Sequence, residues 1–221
     1  MRSVDLSSPL RSLAPSLDSA VLQTLAGTHS ALSATQIARL AGRGTRVGLL
    51  PVLARLVEHG LVTAEPANRG FLYRLNRSHV LADAVLAAAG ARAVIVERLT
   101  EAVRALRPEP VSVSLFGSFA RGEAGPASDL DLLIVTAGDA EEDPGLGEEW
   151  EAQLQHLEDQ VLAWTGNRLE RLVMSDARLR AAFDRGEPVI VAWREEAITL
   201  AGKSVAELLR NELGATRGRA K

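Results

Sequence analysis

The segment from Val111 to Val135, VSVSLFGSFARGEAGPASDLDLLIV, constrains this chain more than any other. It opens with an alternating apolar run (Val111, Val113, Leu115) that reads as a strand and breaks at Gly117-Ser118. A short helix-prone piece, FARGEA, leads to a turn at Gly125-Pro126, and DLDLLIV reads as a second strand. A period of two puts Asp129 and Asp131 on one face of that strand, with Leu130 and Leu132 on the other. Two neighbouring carboxylates repel, so such a pair usually implies a divalent cation between them. A glycine-serine turn entering a helix offers backbone N–H groups and a hydroxyl to phosphate oxygens. A phosphate cradle brought to a carboxylate pair is the equipment of metal-assisted phosphoryl or nucleotidyl transfer.

The pattern resembles the signature of the polymerase-beta-type nucleotidyltransferases. The string GSFARGEAGPASDLDLLIV is most similar to the minimal members found in bacteria and archaea, and the resemblance runs from about Val111 to Gly202. It implies a nucleoside triphosphate as substrate, Mg²⁺ held by Asp129 and Asp131 in a two-metal site, and β,γ-phosphates at Gly117 and Ser118. The family carries a third acid on a later strand, and Glu170 in RLERLVMS is the matching residue. It would complete the metal site or help activate an attacking hydroxyl; an ion pair with Arg168 or Arg171 is the alternative. Arg121, just after the Gly-Ser turn, has a guanidinium that suits the triphosphate, but it could equally pair with Glu123 or Asp129.

Composition narrows the class. A chain of 221 residues suits one large domain or two small ones. Apolar residues make up 47%, yet no run approaches the eighteen or so that would cross a membrane. The N-terminus lacks a basic-then-apolar signal pattern, and there is no cysteine, hence no disulfide framework; a cytoplasmic protein is expected. His29, His59, His79 and His156 stand too far apart for a histidine metal motif. Net charge is −3, but residues 39–77 carry seven arginines against two acids, Glu58 and Glu65. Such asymmetry suggests two modules with different partners.

Residues 1–15 read as a loosely held arm. Three helices follow, capped at Ser16 (or Asp18), Ser33 and Thr45. The second has Ile37, Leu40 and Ala41 inward, and the third Val47, Leu50, Leu53, Leu56 and Val57. Pro51 sits awkwardly in that third helix, as a kink or a later start. LVTAE and FLYRL around Pro66–Gly70 read as a β-hairpin. Three helices and a hairpin resemble the winged helix-turn-helix of bacterial transcription regulators, in which the third helix enters the major groove of duplex DNA and the hairpin is the wing. Arg43 and Arg46 then lie at the helix's start and Arg69 at the wing tip, although the helix lacks Asn, Gln or Lys for base reading.

Residues 78–107 read as a connecting helix relaxed at Gly90, which either docks on both modules or builds a homodimer seam. The acids between Asp139 and Glu151 read as a solvated loop entering a helix with Trp150, Leu154, Leu157, Val161 and Leu162 inward. PVIVAWREEAITLAG reads as two short strands, or one strand and an edge. The expected architecture is α+β in two domains: a winged helix-turn-helix over 1–77, the connecting helix over 78–107, a nucleotidyltransferase-like mixed sheet flanked by helices over 108–202, and a C-terminal helix with a basic tail over 203–221. Three functions compete. The first is an enzyme moving an NMP to a hydroxyl on a protein, nucleic acid or small molecule. The second is a DNA-binding regulator whose transferase-like domain senses nucleotide or is non-catalytic. The third is an antitoxin-like transferase that modifies a partner protein.

Overall fold

The computed structural model describes residues 3–68, 70–138 and 144–210. The backbone divides into two compact units, Asp5–Val94 and the remainder.

In the first unit a short helix α1 (Leu10–Leu13) precedes α2 (Leu17–Ala26), α3 (Ala34–Ala41) and α4 (Arg46–Glu58). A three-stranded sheet of order β1-β3-β2 joins β1 (Leu32–Ser33), β2 (Val62–Ala67) and β3 (Gly70–Leu75), all antiparallel. The N-terminal arm is more ordered than its composition suggests. Leu6 and Leu10 are buried, and the buried Asp5 accepts hydrogen bonds from Ser8 N (3.0 Å), Ser7 Oγ (2.9 Å) and Arg11 Nη1 (3.1 Å). Local polar closure of that kind orders a segment that has no periodicity to reveal it. Ser33 and Gln36 form a reciprocal capping box at α3, and Thr45 Oγ1 accepts from Gly48 N (3.2 Å) at α4. Pro51 lies inside α4 without ending it. The N–H it lacks would have bonded the carbonyl of Val47, in the solvent-exposed first turn. Pro66 is accommodated because β2 is an edge strand.

The inward faces of α3 and α4 differ from the expected ones. The core takes Ile37 from α3 and Leu49, Val52, Leu53 and Leu56 from α4, around Val21, Leu25, Val62, Tyr73 and Leu75. Leu40 is 59% exposed, Val47 71% and Leu50 38%. The run 47–57 has more apolar residues than one helical face can bury, so periodicity alone admits two phases. Tertiary packing selects one.

α5 (Ala82–Ala89) and α6 (Ala91–Arg104) are separated at Gly90, and Leu99, Val103 and Leu106 are buried. The second unit is built on a four-stranded sheet of order β6-β5-β4-β7. Its strands are β4 (Ser112–Phe116), β5 (Leu130–Thr136), β6 (Leu169–Ser175) and β7 (Ile198–Gly202). β4 runs antiparallel to β5 and β7, while β5 and β6 are parallel, so this is a mixed sheet. The short helix α7 (Gly117–Ala120) joins β4 to β5, and α8 (Pro144–Thr165) is the crossover to β6. β5 is buried on both faces at Leu132, Leu133, Ile134 and Val135.

Three helices follow β6: α9 (Asp176–Asp184), α10 (Pro188–Glu196) and, after β7, α11 (Val205–Arg210). Leu179, Ala182, Ile190, Trp193, Val205, Leu208 and Leu209 from them cover Leu133 and Val135 on one sheet face. On β6, Arg171 projects to the other face and pairs with Glu151 and Glu158 of α8. In α8 the inward residues are Trp150, Leu154, Leu157 and Val161, while Leu162 is 40% exposed. α10 replaces the first of the two strands expected from PVIVAWREE. Pro188 opens it at a position where its missing N–H costs nothing, and Ile190 and Trp193 are buried three residues apart. Val189 and Val191, whose branching suggested a strand, are 43% and 45% exposed. The acids at 139–143, Arg69 and the tail 211–221 lie outside the described residues.

Candidate functional site

The strand register assembles the site. In β4–β5 pairing Phe116 lies opposite Asp131, and in β5–β6 pairing Asp131 lies opposite Glu170. Residues paired across a ladder share a sheet face, so Phe116, Asp131 and Glu170 lie on the face that α9–α11 cover further along. They sit where β4 ends and where β5 and β6 begin. Asp129 comes one residue before β5 and two before Asp131, so it has the same parity. Phe116 closes the apolar side of this end, its ring 5.4 Å from that of Trp193.

Asp131 is half-buried, whereas Asp129 and Glu170 are exposed. Burial pushes the Asp131 carboxyl above its ordinary value, and the negative charges of Asp129 and Glu170 push it further; the Arg121 guanidinium opposes them. The fold therefore draws four of the anticipated residues into one electrostatic neighbourhood. Among the described residues, no three acidic or imidazole side chains converge into a closed metal-ligand set. The chemistry of the donors still fits a hard cation. They are oxygen ligands whose mutual repulsion already falls on the half-buried carboxylate, and a cation would relieve it.

Gly117 has φ +68, a conformation that favours glycine, and begins α7 immediately after β4. A Cβ there would lie 2.1 Å from Asp131 Oδ2 and 3.0 Å from its Cγ. Backbone and carboxylate thus approach more closely than any side chain permits. Gly117→Ala is expected to lower the melting temperature by several degrees, the consequence of about 1–2 kcal/mol of backbone strain plus displacement of Asp131. A thermal melt indistinguishable from wild type would show that the turn relaxes freely.

Ser118 is half-buried in α7, and its backbone carbonyl accepts from Glu123 N (2.9 Å). Ser128 closes the turn before the aspartates: its Oγ accepts from Gly125 N (3.0 Å), and its N–H donates to Gly125 O (3.1 Å). The buried Asn167 donates from Nδ2 to Ser128 O (2.8 Å), tying that turn to the start of β6. Arg121 donates from Nε to Glu123 (2.9 Å) and from Nη1 to Glu196 of α10 (3.2 Å). Glu123 was a legible partner, two residues on. Glu196 was not, because nothing in a sequence joins positions 75 apart. Arg171 is engaged by α8, which separates it from the role of partner to Glu170.

In the other unit Arg43 lies between α3 and α4, and Arg46 opens α4; both are exposed, as is Arg39. Arg69, expected at the wing tip, lies outside the described residues.

Gly117-Ser118 and the Asp-x-Asp of residues 129–131 thus lie together at one end of a mixed sheet. Residues 96–185 match a family model described as "Nucleotidyltransferase domain". No curated protein matches the chain. One solved structure, titled "Crystal structure of the toxin-antitoxin with AMP-PNP", aligns over 56% of this chain and 87% of its own at 14% identity, with a TM-score of 0.34. A superposition that loose does not equate the two folds. Among the described residues no helix is long and apolar enough to cross a membrane.

Proposed function

We propose that this protein transfers a nucleoside monophosphate from a nucleoside triphosphate to an acceptor hydroxyl. The observation that carries the reading is the meeting of the Gly117 turn with Asp131, beside Asp129 and Glu170, within the 96–185 match. Gly117 and Ser118 orient the β,γ-phosphates, since the first turn of a helix leaves N–H groups without intrahelical acceptors. Arg121 exchanges its carboxylate partners for the polyphosphate, which its planar fork suits. Asp129 and Asp131, with Glu170, would hold Mg²⁺, which would supply positive charge to offset that of the phosphoryl oxygens. The acceptor oxygen attacks the α-phosphorus, the bond to the bridging oxygen breaks, and pyrophosphate leaves. The hydroxyl proton passes to Glu170.

The unit Asp5–Val94 is read as the address. We read α2, α3 and α4 with the β2–β3 hairpin as a winged helix-turn-helix that would set α4 in the major groove and Arg43, Arg46 and Arg69 on phosphates.

Incubation with labelled ATP, CTP, GTP or UTP, Mg²⁺ and a cell lysate tests the enzyme. Label is expected on a discrete acceptor, and none with Asp129→Asn/Asp131→Asn. A second reading, a regulator that holds nucleotide without turnover, is favoured by the carboxylate grip on Arg121. It predicts a melting shift with nucleotide and no label on any acceptor.

A further inference from the structure

We propose that α4 recognises thymine methyl groups in the major groove, so that the DNA this protein prefers is A·T-bearing; this rests on the DNA-binding reading above. The solvent side of α4 carries an apolar stripe, with Arg46, Arg55 and Glu58 also exposed on the helix. Val47, Leu50, Pro51 and Ala54 are all exposed, at helical spacings of three, four and seven, opposite the buried Leu49, Val52, Leu53 and Leu56. Hydrogen-bonding readers are scarce on it. Arg46 stands at its first turn, and Arg55 is engaged by Asp18. No Asn, Gln or Lys occurs in the helix at all.

The stripe's surroundings identify its occupant. Arg39, Arg43 and Arg46 are exposed around its N-terminal end, residues 34–57 contain no acid, and the exposed Glu58 ends the helix at the far end of the stripe. The positive end of the helix dipole lies there too. Such a surface fits a polyanion that also displays apolar groups. In the major groove the 5-methyl of thymine is the apolar feature that base edges present.

The test uses the full chain at low salt and mixed-sequence duplexes of three designs. One contains A·T pairs, one is the same with deoxyuridine for thymidine, and one is G·C-rich, made with cytosine or 5-methylcytosine. Removing the methyls is expected to weaken binding about fourfold for each one contacted, and 5-methylcytosine to strengthen it by a similar factor. Val47→Ser with Leu50→Ser should bring the thymine-to-uracil ratio to one. Arg43→Ala with Arg46→Ala should weaken all duplexes alike and preserve the ratio. A ratio of one for wild type that does bind DNA overturns the methyl inference and leaves the DNA reading standing. So does a uracil effect without a 5-methylcytosine effect, which would assign the difference to duplex shape. The methyl inference also fails if the Val47/Leu50 variant keeps the wild-type ratio, or if it loses self-association instead, which would make the stripe a contact between copies. Absence of binding to every duplex at low salt removes the DNA reading and this inference together.

Discussion

Asp129→Asn combined with Asp131→Asn is expected to reduce nucleotidyl transfer by at least about 10³-fold, a loss of roughly 4 kcal/mol of transition-state stabilisation. The fold should survive, because neither side chain is a core group: Asp129 is exposed and Asp131 half-buried. Stability without metal should even rise. Burial, then Asp129 and Glu170, hold the Asp131 carboxyl above its ordinary value. A carboxylic acid raised in the folded state costs nothing below its ordinary pKa of 3.8, where both folded and unfolded forms are protonated. The cost grows as pH climbs through the raised value and is complete once the group is ionised in both states. Wild-type stability in EDTA should therefore decline upward from about pH 4 relative to the double mutant, with the largest gap near neutrality. Mg²⁺ should close that gap by binding the native wild type, adding about 2.7 kcal/mol at a hundredfold excess over its dissociation constant. Thermal melts across pH, with Mg²⁺ and with EDTA, read all of this. Equal Mg²⁺ shifts in both proteins would take the aspartates out of the metal site.

The second large effect is on DNA. If Arg43, Arg46 and Arg69 neutralise phosphates, each releases counterions, and log affinity falls with log salt by about 0.9 per contact. The triple alanine variant should then lose about 2.7 from the slope, or twice that if a dimer occupies two half-sites. Arg104→Ala is the control: it is exposed on α6, within the second unit, and should leave slope and affinity alone. Titrations of the full chain against mixed duplex at several salt concentrations decide the matter. A slope untouched by the triple replacement would make the basic surface ordinary solvation, and the unit would be better regarded as a protein-docking domain.

Short-range chemistry is written in the sequence. Ser33 and Thr45 cap the helices they precede, Gly117 turns the chain with a positive φ, and parity places Asp129 with Asp131. Each follows from residues within a few positions of one another or from a single backbone conformation, where sterics and hydrogen-bond reach act directly. Long-range choices were open. The run 47–57 is apolar on more than one side, and only packing against Val21, Leu25 and Tyr73 determined that Leu49 and Val52 turn inward while Val47 and Leu50 face solvent. PVIVAWREE has the branching of a strand, yet burying Ile190 and Trp193 against β5 made it a helix. Glu196 reached Arg121, and Glu170 came opposite Asp131, through the placing of α10 and the parallel pairing of β6. Local propensities differ by less than about 1 kcal/mol per residue, whereas burying one large apolar side chain contributes about 1.5–3 kcal/mol. Where the two disagree, the tertiary core decides.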